Sequence, residues 1–378
     1  MKARLLPLIL ILALCIGVGS TVVRAESASE AVVIGGMTLT GDEKELDLSA
    51  MAPGDIPACM EALGKLPHLE HVYLDPVEGT SPWTLEQAGA LVVRYPDLLV
   101  HYTARVFGTV FRLTDEVVSF NDINLSNKVD QLRTILPYLA HVGRLDMENC
   151  GIPDEQMAQL RADFPAPTIV WRVHLKGVLY NCRTDAIMIR FSNNVESERL
   201  HDKDMKPLMY CNEMKYMDLG HDQITDAWFT AYMPDLEVCI LAVGEITDIS
   251  ALRNCPKLEY LEIFTGHITD LSPLSGLKNL KHLNIANNQI TDISPLFELD
   301  LERLWLSRNP IPQEQIDEFR HRFPRCQVCA VGSNPTGEGW RGTNNGLASR
   351  YALLRKQFCY DMLWINSYSA FNDPNRTN

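Results

Sequence analysis

The stretch LEYLEIFTGHITDLSPL at residues 258–274 is followed by LKHLNIANNQITDISPL at 280–296: Leu258, Leu261, Ile263, Ile268, Leu271 and Leu274 all return as Leu or Ile 22 places on. Working outward, earlier copies open with MKYMDL at 214 and LEVCIL at 236, and a last one, LERLWL, opens at 301, so successive starts step by 22, 22, 22 and 21. A fixed period near 22 predicts a solenoid, in which each unit leaves an apolar face that only the next unit covers. Such folds more often bind than catalyse.

Within one unit, Leu258, Leu261 and Ile263 take the inward positions of a short strand, while Tyr260, Glu262 and Phe264 alternate to the other face. Ile268, Leu271 and Leu274 complete the wedge from the return side. Thr269 and Asp270 suit the turn between them, and Ser272-Pro273 reads as a cap with proline at the first helical position. About six buried apolar side chains at roughly 1.5–3 kcal/mol each face a backbone entropy cost of roughly 1–2 kcal/mol per residue, so one unit alone is unstable. This register makes Leu261→Asp severe and Glu262→Ala nearly neutral.

These motifs resemble the 22-residue leucine-rich repeats of internalin-type bacterial surface proteins, most specifically in the ITDLSPL and ITDISPL returns, over about a third of the chain. The asparagine that such repeats carry survives as Asn288 and Asn309 but is replaced by Asp222, Gly244 and Gly266, so an incomplete asparagine ladder is expected.

A second echo precedes the repeats. LPHLEHVYLD at 66 leads through a helical stretch to RYPDLLVHYTARVFG at 94, and LPYLAHVGRLDM at 136 leads likewise to DFPAPTIVWRVHLKG at 163. Tyr95-Pro96 matches Phe164-Pro165, Tyr102 matches Trp171, and Gly108 matches Gly177. IPDEQMAQLRADFP at 152 returns once more as IPQEQIDEFRHRFP at 311. The physical sense is strand, helix, strand: Pro153 starts a helix with Asp154 and Glu155 in its first turn, and Pro165 stops it. Alternating Ile169, Trp171, Val173 and Leu175 then mark a strand that turns at Gly177, and the strands in TDEVVSF from 114 and TDAIMIRF from 184 are expected to extend each small sheet. The whole chain resembles a group of secreted bacterial leucine-rich-repeat proteins sharing Arg183-Thr184-Asp185, the R-x-x-FP stops at Arg161 and Arg320, GEGWR at 337–341 and RYALLR at 350–355.

The fold class is therefore α/β, a leucine-rich-repeat solenoid of parallel strands with short helical returns, preceded by duplicated small α/β modules. Residues 1–25 read as a signal peptide: Lys2 and Arg4, an apolar run from Leu5 to Val18, and cleavage near Ala25. A 26–44 linker, modules over 45–198, repeats over 199–310, a capping module over 311–330, and a linker with a terminal amphipathic helix over 331–378 follow. Tyr351, Leu354, Phe358 and Met362 carry that helix, as a cap or as a partner- or membrane-facing element. No later stretch is long and apolar enough to span a membrane. The Leu14 before Cys15 is too bulky to favour lipoprotein processing.

Three of the 34 basic residues lie in the leader, leaving 31 against 48 acidic ones and a formal charge of −17. That field disfavours nucleic acid and anionic membranes as partners. Nine cysteines remain after cleavage, without a framework spacing. Cys211, Cys239 and Cys255 read as small apolar fillers. Cys326 and Cys329, a lone C-x-x-C, read as opposite-facing structural thiols on a strand or an incidental bridge, ahead of a redox pair or half a zinc site.

Candidate chemistry is thin: His221-Asp222 in a loop and His201, Asp202 and Asp204 in another read as solvated loop residues, and no metalloprotease, P-loop, nucleophile-elbow or dinucleotide motif occurs. No cofactor or metal is implied. The concave strand positions are the stronger candidate: Tyr216, Asp218, Tyr260, Glu262, Phe264, His282, Asn284, Arg303 and Trp305 stack as aromatic and polar columns, the composition of interaction hot spots. The expectation is a secreted or surface-associated protein, not an enzyme, that binds a protein or glycan there. The alternative is a secreted hydrolase with a cleft between modules and solenoid.

Overall fold

A computed structural model describes residues 31–177, 180–191 and 195–341; the expected signal peptide and the expected terminal helix lie outside these. The described chain opens with a hairpin of β1 (Val32–Ile34) and β2 (Met37–Leu39). Next comes a three-stranded parallel sheet of β3 (Glu45–Asp47), β4 (His71–Tyr73) and β5 (Leu99–His101). Its crossovers carry α1 (Ile56–Ala62) and α2 (Leu85–Arg94). Thr84 caps α2 through a reciprocal box with Gln87. A hairpin of β6 (Thr103–Val106) and β7 (Thr109–Arg112) follows.

The same order then recurs. β8 (Val117–Ser119), β9 (Arg144–Asp146) and β10 (Thr168–Val170) form a second three-stranded parallel sheet, with α3 (Val129–Ile135) and α4 (Asp154–Asp163) in its crossovers. β11 (Arg172–Lys176) and β12 (Tyr180–Arg183) make its hairpin. A seven-stranded parallel sheet closes the fold: β13 (Met188–Arg190), β14 (Tyr216–Asp218), β15 (Val238–Ile240), β16 (Tyr260–Glu262), β17 (His282–Asn284), β18 (Arg303–Trp305) and, after α5 (Gln313–Arg322), β19 (Gln327–Cys329).

Two expectations change here. The strands in TDEVVSF and TDAIMIRF do not extend the sheets before them; β8 pairs with β9 and β13 with β14, so each opens the next sheet. The repeats from 214 supply five strands, and the sheet gains one at each end, β13 and β19. One continuous core runs from Val32 to Phe319, across residue 198.

The turn after each solenoid strand is built alike. His221, Val243, Thr265, Asn287 and Arg308 all have φ between +57° and +69°, and each lies five residues after its strand begins. The backbone there is left-handed, which costs about 1–2 kcal/mol for a side-chain-bearing residue. It turns an amide onto the next strand, as His221 N–H does onto Ala242 O at 2.9 Å. Asp122 and Asn149 occupy the same place after β8 and β9, and Asp122 N–H donates to Glu148 O at 2.9 Å. The second sheet therefore uses the solenoid turn, a likeness already written in Leu145, Met147 and Cys150.

The asparagine ladder is incomplete, as the substitutions imply. Asn288 Nδ2 donates to Ile263 O and Ile285 O at 2.9 and 3.0 Å, and its Oδ1 accepts from Ile268 N at 3.1 Å. Cys150 fills that place in the second sheet, its thiol 3.2 Å from Phe120 O. Gly266 fits because a Cβ there would stand 3.0 Å from Asn288 Oδ1. In the returns Ser272 is the first helical residue and Leu271 its cap position; Ser272 N–H donates to Asp270 Oδ1 at 2.8 Å, and Ser294 N–H likewise to Asp292 Oδ1.

Candidate binding face

The parallel register sets the concave side chains in two ladders. One runs Met188, Tyr216, Val238, Tyr260, His282, Arg303, Gln327; the other runs Arg190, Asp218, Ile240, Glu262, Asn284, Trp305, Cys329. All nine candidate residues thus lie on one face, but that face is not open. Asp218, Tyr260, Glu262, Phe264, Asn284 and Trp305 are each no more than 4 % exposed. Tyr216, His282 and Arg303 are half-buried.

The cover is the chain's own GEGWR segment, which composition marked as a linker. Trp340 is 1 % exposed and packs with ring centroids 5.4 Å from Tyr260 and 5.1 Å from Trp305. Its Nε1 donates to Glu262 Oε1 at 2.7 Å, and Arg341 pairs with Glu262 Oε2 at 2.5 Å. Backbone carbonyls of the segment are held by side chains of the face: Pro335 O by Asn284 at 2.9 Å, Gly337 O by Trp305 Nε1 at 3.1 Å, and Gly339 O by Arg303 at 2.5 Å. Gly339, at φ +88°, lets the segment turn down onto the sheet. Periodicity assigned the columns to one face but carried no sign of what lies on it; the lone Trp340-Arg341 pair after a glycine-rich run was the available signal.

Burial sets the electrostatics. Asp218 is pushed up to about 6, mainly by burial and with Glu262 adding to it. Asp222 is pushed up to about 7 by burial, with Asp218 nearby raising it further. Asp222 Oδ1 accepts from Leu200 N at 2.8 Å, so it orients the approach loop and not His221. His201, Asp202 and Asp204 also serve the backbone: His201 N–H donates to Asp204, and Thr225 N–H to Asp202 Oδ1. Among the described residues no group of three or more His, Cys, Asp or Glu could hold a metal ion.

Arg183 of the RTD motif lies at the junction of the second sheet and its hairpin. It pairs with Asp146, Glu148 and Asp185 at 2.9, 2.8 and 2.9 Å while its side chain is 7 % exposed. Cys326 packs against the main core and Cys329 against the concave cluster, so the C-x-x-C thiols do face opposite ways, and both are free. Beside the strap, Trp305, Arg320, Gln327, Cys329 and Glu338 border a polar cavity of about 530 Å³.

The first sheet is different: its concave positions, Glu45, Asp47, His71, Tyr73, Leu99 and His101, are exposed or half-buried. Tyr73 and His101 stack at 4.4 Å with planes 9° apart. Sequence reading missed this surface because only three strands carry it and no 22-residue period flags it.

The model for leucine-rich repeats in two copies matches residues 264–298 and 278–321. The chain carries leucine-rich repeats. Among solved structures, an internalin (inlF) of Listeria monocytogenes is 21 % identical, with 77 % of this chain and 71 % of that one covered at a TM-score of 0.36. Internalin C2 of the same organism is 22 % identical, with 40 % and 76 % covered and a TM-score of 0.30. The BIR3–SERK2 complex of Arabidopsis thaliana is 20 % identical, with 27 % and 64 % covered at 0.23. Comparison with curated proteins finds no match. No helix of the described residues is long and apolar enough to cross a membrane.

Proposed function

We propose that this is a secreted, non-catalytic bacterial protein that holds a protein partner against the concave side of its leucine-rich-repeat solenoid. The observation that carries this reading is the grip on residues 335–341: the face engages an extended peptide through its carbonyls, an indole and a guanidinium. A surface able to organise its own segment this way has the rigid strands and anchored aromatics that partner recognition needs. With the segment in place, a partner meets Tyr216, His282 and Arg303 at the rim, while Asp218, Tyr260, Glu262, Phe264, Asn284 and Trp305 shape the face from beneath. The Lys2, Arg4 and Leu5–Val18 pattern supports export with cleavage near Ala25. The matching order of sheet, helix and hairpin before the repeats supports descent of both units from one module, α4 beginning 69 residues after α2.

The test is affinity capture with the protein lacking residues 1–25, from culture medium and host-cell surfaces, beside a glycan array and an activity screen on peptides, polysaccharides and esters. Saturable capture of one protein supports the reading. Binding confined to glycans replaces the partner class, and turnover of any substrate removes the non-catalytic assignment.

A further inference from the structure

The first sheet presents the only concave strand face among the described sheets on which a row of rings lies open while acids flank it. Its register sets Glu45 beside His71 and Asp47 beside Tyr73, with Leu99 and His101 on the other side of that central strand. His71 Nδ1 and His101 Nε2 are 3.0 Å apart, so one donates to the other and the two rings are held as a pair. Tyr73 stacks on His101, and its side is open, at 36 % exposure. Burial, with His71 and Arg112 adding to it, holds His101 below the ordinary histidine range, which keeps this ring an uncharged π surface at neutral pH. Glu45 makes no ion pair among the described residues, and both it and Asp47 are exposed at the strip's edge.

We infer that the strip formed by Glu45, Asp47, His71, Tyr73 and His101 is a docking surface for an arginine-bearing segment of a protein partner. The inference deepens the binding reading above and rests on it. A guanidinium is planar: it can lie over Tyr73 and His101 while its N–H fork reaches a carboxylate of the neighbouring strand, a combination that an ammonium meets less well. Strand spacing of about 4.8 Å puts the ring row and the acid row within one side chain's reach. The chain's formal charge of −14 favours a basic partner over an acidic one. Nothing in the geometry needs the closed C-terminal face to open.

The probe is a short Gly/Ser peptide carrying two arginines, and its neutral citrulline counterpart, titrated calorimetrically into the full chain at about 0.15 M salt, where long-range charge attraction is screened. The arginine peptide is expected to bind at least tenfold more tightly than the citrulline one. Tyr73→Ala and the pair Glu45→Gln with Asp47→Asn should each weaken it about fivefold or more, the loss of one exposed cation–π or ion-pair contact, with unchanged melting temperature. Tyr232→Ala, an exposed tyrosine elsewhere, should leave it unaltered. Equal binding by Tyr73→Ala, equal binding of citrulline, or no binding overturns the inference. A captured native partner indifferent to Tyr73→Ala sinks the strip and leaves the binding function standing; failure of the wild-type chain to capture any partner sinks that function itself.

Discussion

Trp340 Nε1 donates to Glu262 Oε1 at 2.7 Å across 78 residues of chain, and the Glu262 side chain is wholly buried. The carboxylate also receives Arg341 and the Tyr260 hydroxyl. Strand alternation puts Glu262 on the outward face, where an alanine would be harmless if water covered it. Here Glu262→Ala strands a buried indole N–H and a half-buried guanidinium, so it should destabilise by about 3 kcal/mol. Urea unfolding measures this; a loss under about 1 kcal/mol would mean the segment does not sit on the face in solution.

Arg183 makes a parallel case at the other junction. Asp146, Glu148 and Asp185 converge on it, each with a side chain no more than 14 % exposed. In the earlier LTD turn the same place is taken by the buried Leu113, and Asp115, at the place of Asp185, accepts from Arg112 N instead. Arg183→Leu should therefore cost about 2–3 kcal/mol, because the cluster loses one of its cations while Asp146 keeps Arg144 at 3.0 Å and Glu148 keeps Arg172 at 2.6 Å. Adding Asp185→Asn, whose other cation, Arg144, is 3.8 Å away, should recover part of the loss. A double variant no more stable than Arg183→Leu alone would show that shape, not charge, is what Leu cannot supply.

Most of the strand register was legible in the sequence because the buried residues obey one rule, a return every 22 places: Leu258, Leu261 and Ile263 are each no more than 1 % exposed. The same rule named the concave columns correctly. It could not say that they are covered, because Trp340 reaches Tyr260 and Trp305 by a contact with no period. The second sheet was legible as a strand-helix-strand module, but its solenoid-type turns were not: Asp122 and Asn149 sit 27 residues apart, and Cys150 replaces the asparagine that would have marked the repeat.

Gly89, inside α2, sits against the face of Tyr138. A Cβ at Gly89 would stand 2.2, 2.4 and 2.6 Å from three ring carbons of Tyr138. Alanine gains about 1 kcal/mol over glycine in a helix interior, but forcing the ring away costs roughly 1–3 kcal/mol. Gly89→Ala should destabilise on balance, by about 1 kcal/mol or more. In Tyr138→Ala the same change should instead stabilise. Thermal melts of the four proteins in that cycle decide it, and a Gly89→Ala effect of one sign in both backgrounds would remove the ring as the cause.

Asp222 holds the place that Asn288 and Asn309 fill in later turns, and the two chemistries differ by one donor. Asn288 gives its Nδ2 to the carbonyls of Ile263 and Ile285; the equivalent carbonyls around Asp222 are those of Phe191 and Leu219. Asp222 Oδ2 has no hydrogen-bond partner among the described residues, and burial pushes the group up to about 7 from 3.8. The folded chain thus binds this proton more tightly than the unfolded one. The stability it brings is complete below about pH 4 and is lost as pH rises through about 7, when a buried carboxylate faces carbonyls. Asp222→Asn supplies the donor at every pH. It should stabilise by about 2 kcal/mol at pH 8 and by little at pH 4. Melting curves of the two proteins should converge at acid pH and separate above neutrality. A constant gap across that range would show that the gain comes from the amide's packing and not from the removed charge.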